Sequence, residues 1–186
     1  MRRYSEGAKT ARVSLSQGFT LIELIVVIVI LGILAAVALP RFANLGSSAR
    51  VSSIRALAGT VTTAVSLVRS VTAVRGAGTA SNIANITFVS LTPTTQVRVW
   101  SGYPDRWCDG IGVALSGMTI PGGGCYLSSA AIRFEGYMFY GFGNSQIPGG
   151  DAGWRIESAP TPMQCSVQYT YNGSGVPVVR ANTSGC

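Results

Sequence analysis

Few residues in this chain have side chains suited to chemistry, and their spacing narrows the options. Histidine is absent, and the acids Asp105, Asp109, Glu135, Asp151 and Glu157 stand at no spacing that sets a general acid against a base. Cys108 and Cys125 have no close cysteine or histidine partners of the kind that complete a four-ligand zinc pattern. Pro121-Gly122-Gly123-Gly124 reads as a turn, because the lysine and following helix of a phosphate loop are missing. Asn85-Ile86-Thr87, Asn172-Gly173-Ser174 and Asn182-Thr183-Ser184 are formal glycosylation sequons, a short pattern that recurs by chance. The sequence therefore predicts no enzyme, no cofactor and no metal. Two features remain chemically informative: four cysteines, and one carboxylate, Glu23, inside the run GFTLIELIVVIVILGILAAVALP at 18–40.

That run sets the first structural element. From 19 to 39 only Glu23 is charged, and at about 1.5 Å per residue the stretch spans roughly 31 Å, one hydrocarbon core. Arg2, Arg3, Lys9 and Arg12 precede it against Glu6 alone, which favours a cytoplasmic leader and translocation of the remainder. A cleaved secretory signal usually has an apolar core of about 7–15 residues followed by a small-residue cut site. Here the apolar run is longer, and Ala35, Ala36 and Ala38 continue a helical pattern, so an uncleaved anchor is the simpler account. An anchor alone leaves Glu23 unexplained, since a carboxylate in an apolar medium needs a partner. The remaining positive charge is scattered over single arginines from Arg41 to Arg180, with no run to track phosphates, which argues against nucleic-acid binding.

Gly18-Phe19-Thr20-Leu21-Ile22-Glu23 with the apolar run behind it resembles the N-terminal signature of type IV prepilins and the pseudopilins of bacterial secretion systems. The resemblance implies that a membrane aspartyl peptidase cuts between Gly18 and Phe19 and methylates the new terminus. Glu23 would then be the fifth mature residue, and the family assigns it to pairing with the terminal ammonium of an adjacent subunit. The physics agrees: cleavage creates a cation at Phe19 about one helical turn from Glu23, and the two can neutralise across staggered helices where unpaired charges are costly. Gly18 read without the family is a flexible joint between leader and helix.

Beyond the apolar run, Pro40 should kink the helix rather than stop it, because periodic apolar residues resume at once. In the family this zone can lose helical order on entering a filament, which makes 32–40 the candidate segment. Val51, Ile54, Leu57, Ala58, Val61, Ala64, Val65, Val68 and Val71 recur at steps of three and four, the pattern of a helix with one buried face. The glycines after Arg75 should end it. Valine and threonine in the second half favour strands, so the helix needs tertiary support. Strands are predicted at 96–100, 111–115, 131–142, 166–171 and 176–180, where short β-rich runs are separated by glycine, proline and asparagine. The fold class is α+β, a long N-terminal hydrophobic helix packed against a C-terminal antiparallel sheet. The predicted organisation is a leader at 1–18, a membrane and filament-core helix at 19–50, and a globular head at 51–186 that includes the second half of the helix. Trp100, Trp107, Tyr137, Phe139 and Trp154 are expected in or at the core; a row of them outside would suggest surface adhesion.

Four cysteines in a translocated region fit an oxidising exterior and allow three complete pairings. The sequential set, Cys108 with Cys125 and Cys165 with Cys186, closes two separate short segments, each worth roughly 3 kcal/mol on loop entropy. The resemblance identifies Cys165 to Cys186 with the bridged C-terminal region that often forms the exposed filament surface; Cys108 and Cys125 lie outside the usual single-pair pattern.

Pro40-Arg41-Phe42-Ala43-Asn44-Leu45, with Ala49-Arg50, is similar to pilins of the mannose-sensitive haemagglutinin type, a type IVa-like branch associated with attachment. The resemblance implies a filament subunit for adhesion or motility. It also implies a single-pass precursor in the bacterial inner membrane that later becomes part of an extracellular pilus on the cell surface. Its implied partners are identical subunits, the prepilin peptidase and methylase, the inner-membrane assembly machinery and a surface or host target. A type II secretion pseudopilin and a minor tip pilin are the alternative roles; the former is disfavoured because its calcium-binding loop is not recognisable.

Overall fold

The computed structural model describes residues 18–76, 78–115, 120, 125 and 131–186. The leader before Gly18 and the turn expected at 121–124 lie outside them. The chain divides into two units, Met1–Ala43 and Asn44–Cys186. One helix, α1, is assigned over Leu21–Arg75 and continues through Pro40 without a break in assignment. In the first unit Leu21–Leu39 has mean hydropathy 3.1, is long and apolar enough to cross a membrane, and has no residue buried within the chain.

In the second unit α1 presents Ile54, Leu57, Val61, Ala64, Val65 and Val68 to the core, all buried, with Val51, Ala58 and Val71 packed at its margin. This is the predicted face. On the outer side the hydroxyls of Thr60, Thr62, Thr63, Ser66 and Ser70 each donate to the carbonyl four residues back. The β-branched and hydroxyl residues that weaken an isolated helix thus satisfy themselves on its own backbone, while burial of the opposite face supplies the stability. The helix ends at Arg75, and Gly76 follows in the left-handed region at φ 80°.

Two open antiparallel sheets complete this unit. The first runs in order β1 (Thr79–Ala80), β2 (Ile86–Ser90), β3 (Gln96–Trp100) and β4 (Tyr103–Pro104). The second runs β5 (Ala131–Phe134), β6 (Tyr137–Tyr140), β7 (Ala152–Arg155), β8 (Ser166–Thr170) and β9 (Val178–Asn182). Its inward row pairs Ile132 with Phe139, Phe139 with Trp154 and Trp154 with Val167. Phe139, Trp154 and Val167 are fully buried there, and the first two rings lie 4.9 Å apart. Trp100, Trp107 and Tyr137 are half-buried instead.

Three departures from the sequence reading have local causes. Residues 111–115 are not a strand: Cys108–Gly112 winds as a π-helical turn that runs on into Val113. Ile111 N–H donates to the Asp105 carbonyl, and Gly110 lies so close to that backbone that a Cβ would sit 2.1 Å from the same oxygen. A short apolar run reads alike in either state, and here the anchor to Asp105 selects the wound one. The run at 131–142 is a hairpin, turned at Glu135 and Gly136 with φ 44° and 88°. Strands β1, β2, β4 and β7 fall outside the predicted runs.

The end of the chain is tied down from several sides. Cys165 is bonded to Cys186 with Cα atoms 4.8 Å apart, and Cys108 to Cys125 with Cα atoms 5.4 Å apart. Arg50 Nε donates to the Cys186 carbonyl at 2.6 Å, and Thr161 N–H to that of Gly185. A helix residue 136 positions away therefore holds the segment that the disulfide closes.

Between β3 and the wound turn lies a buried polar centre. Arg98, 4% exposed, meets Asp105 at 2.8 Å and Asp109 at 4.0 Å. Asp105 also accepts the Arg106 N–H at 2.7 Å. Burial pushes the Asp105 and Asp109 carboxyls above the ordinary range, against the opposing pull of Arg98. Arg98→Met removes that pull and leaves two buried carboxylates facing each other, at an expected cost of about 3–5 kcal/mol near neutral pH. A raised folded-state pKa means that the folded chain holds the proton more tightly. The loss should therefore shrink as pH falls, beginning above the ordinary carboxylate range of about 4. Denaturant melts of wild type and variant across this range check it; a penalty that does not change with pH would remove the carboxylates from the account.

Candidate functional site

The residues singled out for processing and assembly lie at the head of α1. Gly18, Phe19 and Thr20 precede the helix without regular structure, and Phe19 is 86% exposed. Glu23 falls in the first helical turn, where the unpaired N–H groups of a helix start favour negative charge. Phe19, Ile22, Val26 and Val27 border it with apolar surface.

Glu23 has a local partner that the sequence reading did not assign. Its Oε2 accepts the Thr20 N–H at 2.9 Å and the Thr20 hydroxyl at 2.7 Å, while Thr20 Oγ1 accepts the Glu23 N–H at 3.3 Å. This is a reciprocal capping box: the residue before the helix and the third residue inside it satisfy each other's backbone donors. The signal was available as Thr20-x-x-Glu23. Both carboxylate bonds use Oε2, and Oε1 makes no hydrogen bond among the described residues. In the intact chain the Phe19 nitrogen is a peptide amide and carries no charge, so the structure does not bring an ammonium to Glu23.

Pro40 lies within α1, and residues 32–40 are helical. The cysteines sit in the second unit, Cys108 and Cys165 buried at 3% and 0%. Among the described residues no three histidine, cysteine or acidic side chains gather as a metal site. The arrangement at the helix start can position a carboxylate and expose the preceding peptide; it holds no group set up for bond-making.

A family model described as the prokaryotic N-terminal methylation motif matches residues 14–39. No curated protein and no solved structure matches the chain. The motif, with a helix packed on a C-terminal antiparallel sheet behind it, is consistent with the general type IV pilin family.

The cap makes its own prediction. Thr20→Val keeps the shape and removes the hydroxyl, so the Glu23 amide in detergent-held precursor should exchange hydrogen about fivefold faster, whereas Thr20→Ser should keep the native rate. Equal exchange in all three would remove Thr20 as the cap.

Proposed function

We propose that this chain is the structural subunit of a bacterial type IV pilus. It is made as a precursor with a leader at 1–18 and polymerises through its N-terminal helix into an extracellular filament for adhesion or motility. The carrying observation is the helix segment Leu21–Leu39, whose apolar side chains find no cover within their own chain. Such a surface needs lipid or copies of itself. The motif at 14–39 supports processing by a prepilin peptidase and methylase, with Gly18 and Phe19 flanking the cut. Once the leader is gone, the Phe19 ammonium becomes a charge that must be neutralised in an apolar setting. Glu23 Oε1 on a neighbouring helix is suited to receive it while Oε2 keeps its bond to Thr20. Pro40 and the segment 32–40 are where the helix would yield during assembly.

The partners on this reading are identical subunits, the inner-membrane assembly machinery and a target surface. The similarity of 40–45 to mannose-sensitive haemagglutinin-type pilins favours attachment. The disulfide at Cys165 and Cys186 favours a pilin over a pseudopilin.

Mass spectrometry of sheared surface material should find a first peptide that begins at N-methylated Phe19; residues 1–18 retained there would end the prepilin reading. Glu23→Ala should leave processed, oxidised monomer in the membrane and reduce sheared filaments at least tenfold. Full filament yield would dismiss an essential pairing role, and loss of processing would move Glu23 into peptidase recognition.

A further inference from the structure

We propose that the β5–β6 hairpin tip of one subunit, carrying Glu135, docks into the groove beside Arg69 of a second copy. This rests on the filament reading and specifies a contact between heads. Each of Asp105, Asp109, Asp151 and Glu157 faces an arginine of its own chain: Arg98 for the first two, Arg106 for Asp151 and Arg155 for Glu157. Glu135 has no such partner among the described residues. It occupies a two-residue turn at φ 44°, a conformation that asparagine, aspartate or glycine adopts at lower cost than glutamate. Next to it, Gly136 is also exposed, and a Cβ there would meet nothing within 4 Å. A strained, exposed and unpaired carboxylate at a hairpin turn is suited to a partner outside its own chain.

The complementary surface lies on the same unit. A groove of about 420 Å³ is lined by Val65, Ser66, Arg69, Tyr103, Pro177 and Val179, among others. Arg69 is held over the Tyr103 ring at 5.0 Å and has no carboxylate partner among the described residues. Its guanidinium stands in a concavity walled by both hydroxyl and apolar side chains, where an incoming carboxylate would be partly desolvated and its turn backbone could pack. Arg55 and Arg180 are also exposed, but they do not line this groove.

The chain cannot satisfy the pair by itself. Tyr137, at the base of the tip, donates its hydroxyl to the Ser53 carbonyl, which fixes the hairpin beside that part of α1. Arg69 stands sixteen residues farther along the helix, about 24 Å away and out of reach of the tip's own glutamate. Tip and groove are different patches displaced along one axis, so their contact is heterologous. Such a contact adds copies head to tail, and on the filament reading it does so in an open series.

The test uses the full chain in a piliated bacterium that lacks its own major pilin. Glu135→Arg and Arg69→Glu should each lower the yield of sheared filaments about tenfold, with processed, disulfide-bonded monomer in the membrane unchanged. The double variant Glu135→Arg with Arg69→Glu should return to within about twofold of the parent. Filament yield indifferent to both single reversals, or a double variant no better than either single, would overturn the contact alone. A parent that is processed but forms no filament would overturn the filament reading and the contact with it.

Discussion

One constraint organises this molecule: a single helix carries apolar surface of two kinds, and each kind has to be covered differently. From Ile54 to Val68 the apolar residues form one stripe, and the two sheets cover it. From Leu21 to Leu39 they run all round the helix, so that no single sheet or partner face could cover them. The change from all-round to one-sided hydrophobicity is a property of sequence spacing alone. The antiparallel strands, the two disulfides and the buried Arg98 centre all serve the one-sided half. They make a finished core that asks nothing of the apolar segment, whose needs are left to lipid or to other copies.

The fold was legible where the physics is periodic. Val51 to Val71 repeats at three and four, and a stripe of that regularity has one structural solution; the stop at Arg75 was equally readable from the glycines that follow. Strand β3 lies where its β-rich run placed it. Strand β7 was hidden because Ala152–Arg155 is buried on both faces and built from small residues, a tryptophan and an arginine, with no polar-apolar alternation to read. Strand β2, Ile86–Ser90, carries the β-branched and aromatic residues of a strand, so its signal is present in the sequence. The wound turn at Cys108–Gly112 could not be read locally, because what decides it is a backbone contact with Asp105 and an arginine delivered by β3.

At the candidate site, Glu23 was conspicuous for a single reason, its charge, and that hid its second role. A carboxylate three residues after a threonine at a helix start is a cap as well as a charge. The two roles are compatible because a carboxylate has two oxygens, and Thr20 engages one. The cap also bears on orientation: a side chain already fastened to Thr20 has few rotamers left to lose when another group meets it.

The outer side of α1 between Thr60 and Ser70 looks hydrophilic by composition, yet its hydroxyl protons are all directed back onto the helix carbonyls. Apart from Arg69, what these residues turn outward is methyl and methylene together with oxygens that have already spent their hydrogen. Each oxygen keeps its lone pairs, so water can still donate to the strip but finds no hydroxyl proton to receive. A hydropathy scale scores these residues as ordinary hydroxyls; toward another surface they offer acceptors and no free donors.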